Sequence, residues 1–289
     1  MRRLALALAL IISAAGASAR ENFSIDGDGC SARNFRWNDE RGFVAKETID
    51  GRGLRSIKAS VTHAPVAVIG DSSAGYSIEV CKAAARAEDL NAIHVRLDGD
   101  ELRATGPDNR SWTVLYRIHV PRNADVDIEA KNGPVSFEDV DGKVVARSSN
   151  GPLSLENVSG NVDATTTNGP ISVHGGSGTM KVQASNGPLS VHLDGGSWQG
   201  GTLDASTKNG PLSVKIPRGY NSGVVVESSG RGPLTCRAEG CERWRARDGY
   251  DDDDDSWFNN RARRIELGSG RADVRLSTVN GPVTIKEDE

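Results

Sequence analysis

The sequence predicts an all-β chain: a single-stranded parallel β-solenoid of short coils behind an N-terminal cap. Three observations carry that prediction. The tripeptide Asn-Gly-Pro recurs six times, at Asn132-Gly133-Pro134, Asn150-Gly151-Pro152, Asn168-Gly169-Pro170, Asn186-Gly187-Pro188, Asn209-Gly210-Pro211 and Asn280-Gly281-Pro282. The first four copies start 18 residues apart and the fifth follows after 23; a fixed short period marks stacked repeats. The chain holds 33 glycines and only 5% aromatics, a composition suited to thin coils with a small-residue interior.

Each unit offers two short strands. Six residues before each Asn stand Val126, Val144, Val162, Met180, Leu203 and Val274, and four before stand Ile128, Ala146, Ala164, Val182, Ala205 and Leu276. Two before is small or hydroxylated, and mostly polar residues lie between, which is the period-two pattern of a half-buried strand. The alternation resumes after Pro, as in Leu153-Ser154-Leu155 and Ile171-Ser172-Val173.

The tripeptide fits a corner. Gly accepts a positive φ at no steric cost, and Asn is the next most tolerant residue there. Pro suits the first position of a strand, where its missing N–H does least harm. Coils stacked in register would align the Asn side chains into a ladder.

Residues 1–19 read as a secretory signal: Arg2 and Arg3, an apolar run from Leu4 to Ile12, and Ala17-Ser18-Ala19 as a cleavage site. That run is too short to span a bilayer, and no other stretch is apolar enough, so an exported, non-membrane-spanning protein is expected. Residues 20–53 are expected to cap the stack. Residues 54–120 form degenerate repeats, in which His63-Ala64-Pro65 stands where Asn-Gly-Pro would. Lys82–Leu90 is Ala-rich enough for a helical turn. The regular repeats occupy 121–289, with a degraded copy around Gly232-Pro233 and an excursion at 238–264 containing the acidic run Asp251–Asp255. The charged end Lys286-Glu287-Asp288-Glu289 is expected to blunt the last coil.

Four cysteines in an exported chain suggest two disulfides, with three possible pairings. Cys30–Cys81 is favoured because it ties the cap to the degenerate coils, and Cys236–Cys241 because it pins the start of the excursion. Neither pair has the spacing of a zinc site.

No residue stands out for catalysis. Asp127, Asp163 and Asp204 share a column that Val145 and Lys181 interrupt, so no hydrolytic carboxylate pair is assigned. No Gly-x-Ser-x-Gly and no phosphate-cradling loop occurs. His174 and His192 fall in one column with Glu156 and Glu138, a row that could bind a divalent ion. The column continues as Lys215, Arg237 and Lys286, an ordinary solvated face, so no metal or cofactor is assigned. The Asp251–Asp255 run lacks the spacing of a calcium loop. A net charge of −4 argues against nucleic acid as a partner.

The units Asn150-Gly151-Pro152-Leu153-Ser154-Leu155 and Asn168-Gly169-Pro170-Ile171-Ser172-Val173 resemble those of the bacterial "putative adhesin" β-strand-repeat proteins, an exported family. So do Val120-Pro121 with Val126-Asp127-Ile128, and the late stretch Ile265–Gly268 through Val274–Pro282. The resemblance covers roughly residues 45 to 286 and implies no catalytic residues. The acidic excursion departs from it. The expected function is a non-enzymatic envelope or surface protein, periplasmic, cell-surface or secreted, that binds an envelope glycan or surface protein along a flat Ser/Thr-rich sheet. The alternative is a carbohydrate-active β-helix enzyme, which a carboxylate cluster in a groove would favour.

Overall fold

The structure, a computed structural model, describes residues 23–25, 30–31, 35–38, 40–72, 75–109, 111–230, 232–242, 263–268 and 270–288. The segment 1–19 expected to be a secretory signal, the run Asp251–Asp255 and most of the 238–264 excursion lie outside the described residues.

β1 (Phe23–Ile25), β2 (Phe35–Trp37) and β3 (Glu40–Arg41) form a small antiparallel sheet. Next come β4 (Phe43–Gly51), β5 (Ser56–His63), β6 (Val66–Asp71) and β7 (Tyr76–Ala84). A 3₁₀ turn at Ala87–Ala92 leads to β8 (His94–Asp98), β9 (Glu101–Thr105) and β10 (Trp112–Pro121). The repeats then supply strands in pairs: β11 (Asp125–Asn132) and β12 (Val135–Glu138), β13 (Lys143–Asn150) and β14 (Leu153–Glu156), β15 (Asn161–Asn168) and β16 (Ile171–His174), β17 (Thr179–Asn186) and β18 (Leu189–His192), β19 (Leu203–Asn209) and β20 (Leu212–Pro217). β21 (Gly223–Ser228), β22 (Leu234–Arg237), β23 (Arg263–Leu267), β24 (Ala272–Asn280) and β25 (Val283–Asp288) complete the described strands.

Two sheets of eleven strands each dominate. The first, in the order β23-β21-β24-β19-β17-β15-β13-β11-β5-β9-β8, includes β11, β13, β15, β17, β19 and β24, which run into Asn-Gly-Pro. The second, β22-β25-β20-β18-β16-β14-β12-β6-β10-β7-β4, includes β12, β14, β16, β18, β20 and β25, which follow it. Through the repeats the pairing is parallel and in register. Val126, Val144, Val162, Met180, Leu203 and Val274 form one row, and Val135, Leu153, Ile171, Leu189, Leu212 and Val283 another. All of these are buried. Each large side chain so buried contributes about 1.5–3 kcal/mol, and a one-residue slip would turn a whole row into solvent. That cost fixes the register.

The sheets depart from a purely parallel winding. β7 runs antiparallel to both β10 and β4, β8 to β9, and β23 to β21. Neither sheet is closed. Three of the four edge strands, β4, β8 and β23, belong to these antiparallel additions, and they carry charges such as Lys46, Arg96 and Arg264 that discourage further pairing.

Chain order also differs from spatial order. β24 and β25 lie beside β19 and β20, so Asn280 pairs with Asn209, while β21 and β22 flank them on the outside. The charged C-terminal segment therefore sits on an internal strand and does not blunt the stack. That end is covered instead by β22, β23 and the turn after Cys236. Likewise β5 and β6 pair directly with β11 and β12, setting His63 opposite Asn132.

The corner needs glycine for a different reason from the one the sequence suggests. Of the six Asn-Gly-Pro glycines only Gly133 has a positive φ, at 130°. At the others a β-carbon would collide with the glycine carbonyl oxygen of the neighbouring copy. Gly169 would meet Gly151 O at 2.2 Å and Gly187 would meet Gly169 O at 2.0 Å. The left-handed backbone lies at the opposite corner, at Asp139 (φ 59°), Asn157 (φ 51°) and Gly175 (φ 66°), residue types that tolerate it.

Candidate functional site

Alternation decides what each sheet shows to solvent. In the second sheet Ser136, Ser154, Ser172, Ser190, Ser213 and Thr284 stand between buried neighbours and face outward as one unbroken row. Successive residues of the row are one strand spacing apart, about 4.8 Å, and Ser172 Oγ donates to Ser154 Oγ at 3.2 Å. The next outward row reads Glu138, Glu156, His174, His192, Lys215 and Lys286. It grades from acid through imidazole to ammonium. On the first sheet the row Asp127, Val145, Asp163, Lys181, Asp204 and Arg275 keeps its acids apart.

The corner side chains form a ladder along the stack. Asn150 Nδ2 donates to Asn132 Oδ1 at 3.0 Å, Asn168 to Asn150 at 2.9 Å, Asn186 to Asn168 at 3.1 Å, Asn209 to Asn186 at 2.9 Å and Asn280 to Asn209 at 2.9 Å. The backbone ladder passes through the corner without the proline nitrogens. Gly151 N donates to Asn168 O at 3.0 Å and Leu153 N to Pro170 O at 3.0 Å. Buried Thr207 and Thr278 give their hydroxyls to the carbonyls of Gly187 and Gly210 at 2.8 and 3.1 Å.

At the edge of the serine face the structure draws together side chains that the sequence only half revealed. His174 and His192 are register partners, and their rings stack with centroids 4.4 Å apart and planes 5° from parallel. The third group is Asp194, not Glu156. Its Oδ2 is 3.6 Å from His174 Nε2 and its Oδ1 is 3.9 Å from His192 Nε2. Asp288 on β25 approaches from the other side, with Oδ2 2.5 Å from His192 Nε2. The bond to His192, with the Lys215 charge adding to it, holds the Asp288 carboxyl below its ordinary range. Asp194 belongs to the longer loop of the 23-residue unit, and no motif marks it. In the regular units the corresponding stretch ends in buried Val140 or Val158; here Leu193 is buried and Asp194 is exposed.

Two concavities lie at the β22 end. A notch of about 560 Å³ is lined by Arg218, Arg237, Glu239, Glu242 and Glu287, with Arg218 Nε on Glu287 at 2.6 Å. A cavity of about 240 Å³ includes Ile216, Tyr220, Val224 and Leu267. Burial, aided by the Asp273 charge, pushes the Tyr220 phenol up to about 12. Cys30 is bonded to Cys81, with Cα atoms 5.5 Å apart, and Cys236 to Cys241, with Cα atoms 5.8 Å apart. No described helix is long and apolar enough to cross a membrane.

No protein-family model matches the chain, and no curated protein matches it. Among solved structures it is similar to a putative cell adhesion protein from Clostridium sporogenes, at 11% identity and TM-score 0.33, over 86% of this chain and 100% of that one. It is also similar to a putative adhesin from Bacteroides fragilis, at 12% identity and TM-score 0.37, over 85% and 97% of the two chains. A third structure, of a putative lipid-binding protein from Parabacteroides distasonis, matches at 9% identity and TM-score 0.33, again over 85% and 97%. The solved structures similar to this chain thus include bacterial proteins described as putative adhesins.

Proposed function

We propose that the protein is an exported, non-enzymatic β-solenoid, an adhesin-like binding or structural component of the cell envelope or surface. Its serine face would take an envelope glycan or a surface protein. The observation that carries this reading is the unbroken hydroxyl row from Ser136 to Thr284 on an open sheet. Short hydroxylated side chains lose little rotamer freedom on binding, and each both donates and accepts. Repeated every ~4.8 Å, they suit an extended partner held by many weak contacts. Two disulfides support an oxidising compartment. The test is a pull-down of glycans and envelope fractions with the mature protein. Wild type should retain an envelope component that the triple variant Ser154→Asp, Ser172→Asp, Ser190→Asp loses at least about tenfold, because the added charges repel one another and any anionic partner. Equal retention by a folded triple variant would refute the serine face as the binding surface.

A second reading draws on the notch, which gathers Glu239, Glu242 and Glu287. A polysaccharide-cleaving site needs two carboxyl groups facing one bond. Turnover of a polysaccharide by wild type, abolished by Glu242→Gln, would replace the binding-only reading.

A further inference from the structure

We infer that His174, His192 and Asp194 form a binding site for a divalent transition-metal ion of the zinc class, with Asp288 as an adjoining carboxylate. Their ligand atoms lie within 4.8 Å of one another. The Asp194 carboxylate turns one oxygen toward each imidazole, but at 3.6 and 3.9 Å neither approach is a hydrogen bond. Ligands about 2.0–2.2 Å from a tetrahedral ion stand about 3.3–3.5 Å apart from one another. The Asp194 oxygens therefore already stand near the spacing that a shared ion imposes, whereas the two stacked imidazoles must turn out of their stack, and His192 away from Asp288, to aim both Nε2 lone pairs at one ion.

The backbone sets up this convergence. Parallel register places the two imidazoles on neighbouring strands with their rings stacked. Gly175 leaves the room that Asp194 occupies: a β-carbon there would lie 2.7 Å from Asp194 Oδ2. The loop that turns Asp194 outward exists only in the lengthened unit, so the regular units cannot repeat the site. Two imidazoles with one or two carboxylates suit Zn²⁺, Cu²⁺ or Ni²⁺, whereas Ca²⁺ and Mg²⁺ take oxygen ligands. Lys215, whose Nζ is 3.7 Å from Asp288 Oδ1, offsets part of the local negative charge. Asp288 is accordingly the adjoining group and not one of the three primary ligands. The cluster is open to solvent, which leaves a coordination position for water or a partner's ligand.

The test is calorimetric titration of the mature, disulfide-bonded protein with Zn²⁺ and, separately, with Ca²⁺. The expected result is one equivalent of Zn²⁺ bound. The affinity should fall at least about tenfold in His174→Gln, His192→Gln and Asp194→Asn, and stay unchanged in His119→Gln, an imidazole elsewhere on the same sheet. Co²⁺ should give a visible absorption band in wild type that His192→Gln abolishes. Circular dichroism confirms that each variant is folded. Absence of Zn²⁺ binding, Zn²⁺ affinity unchanged in a folded His174→Gln, His192→Gln double variant, or Ca²⁺ bound as tightly as Zn²⁺ would each overturn the assignment.

Discussion

At Gly169 a β-carbon would stand 2.2 Å from the carbonyl oxygen of Gly151, while at Gly195, with φ 68°, it would meet nothing within 4 Å. These two glycines separate the reasons a chain has for using the residue. Gly169→Ala forces apart two backbone corners that the whole ladder holds in place. It is expected to cost about 3 kcal/mol, the upper end of the overpacking range. Gly195→Ala pays only the left-handed backbone penalty, about 1–2 kcal/mol. Urea denaturation of both variants measures the order; a larger loss at Gly195 would show that dihedral preference governs the corners after all.

Among the elements, the 3₁₀ turn at Ala87–Ala92 joins β7, one strand in from the edge of one large sheet, to β8, an edge strand of the other. It is pinned by Asp89, whose carboxylate takes Arg86 Nη2 at 2.9 Å and Asn109 Nδ2 at 3.0 Å. The Arg86 bonds hold the Asp89 carboxyl below its ordinary range, and Asn109 adds to the effect. Because the folded value is depressed, this stabilisation is present above the ordinary carboxylate range of about 3.9 and is lost as pH falls through the folded value. The thermal midpoint of wild type should drop more steeply below about pH 4 than that of Asp89→Asn. Parallel acid limbs would remove Asp89 as a source of acid sensitivity. The lengthened unit is a second informative element. Its Trp198 is buried, with Nε1 on Gly178 O at 2.9 Å and its backbone N on Ser222 Oγ at 2.9 Å. The same insertion that carries this plug also carries Asp194.

Across the whole molecule, the two disulfides act on different lengths of chain. Cys30–Cys81 spans 51 residues and joins the N-terminal segment to β7; Cys236–Cys241 spans 5. Loop-closure entropy assigns about 4 kcal/mol to the first and about 2 kcal/mol to the second. The double variant Cys30→Ser, Cys81→Ser should therefore unfold at a lower urea midpoint than Cys236→Ser, Cys241→Ser. The reverse order would mean that the short bridge, whose two cysteines are buried at the edge strand β22, is worth more through packing than through chain entropy.

The sequence by itself determined the repeating part. Asn-Gly-Pro in phase with period-two alternation fixes strand, face and register, because every row from Val126 to Val274 must point inward at once. It also marked His174 and His192 as one column, since equal spacing after Asn becomes adjacency in a parallel sheet. Only the tertiary structure decided what local pattern does not encode. The backbone of one copy excludes a β-carbon from the next. β24 and β25 lie beside β19 and β20, not last in the stack, because strand pairing depends on complementary edges and not on chain order. Asp194, from a loop without a motif, arrives beside two stacked imidazoles because the path of an inserted loop is set by what it packs against.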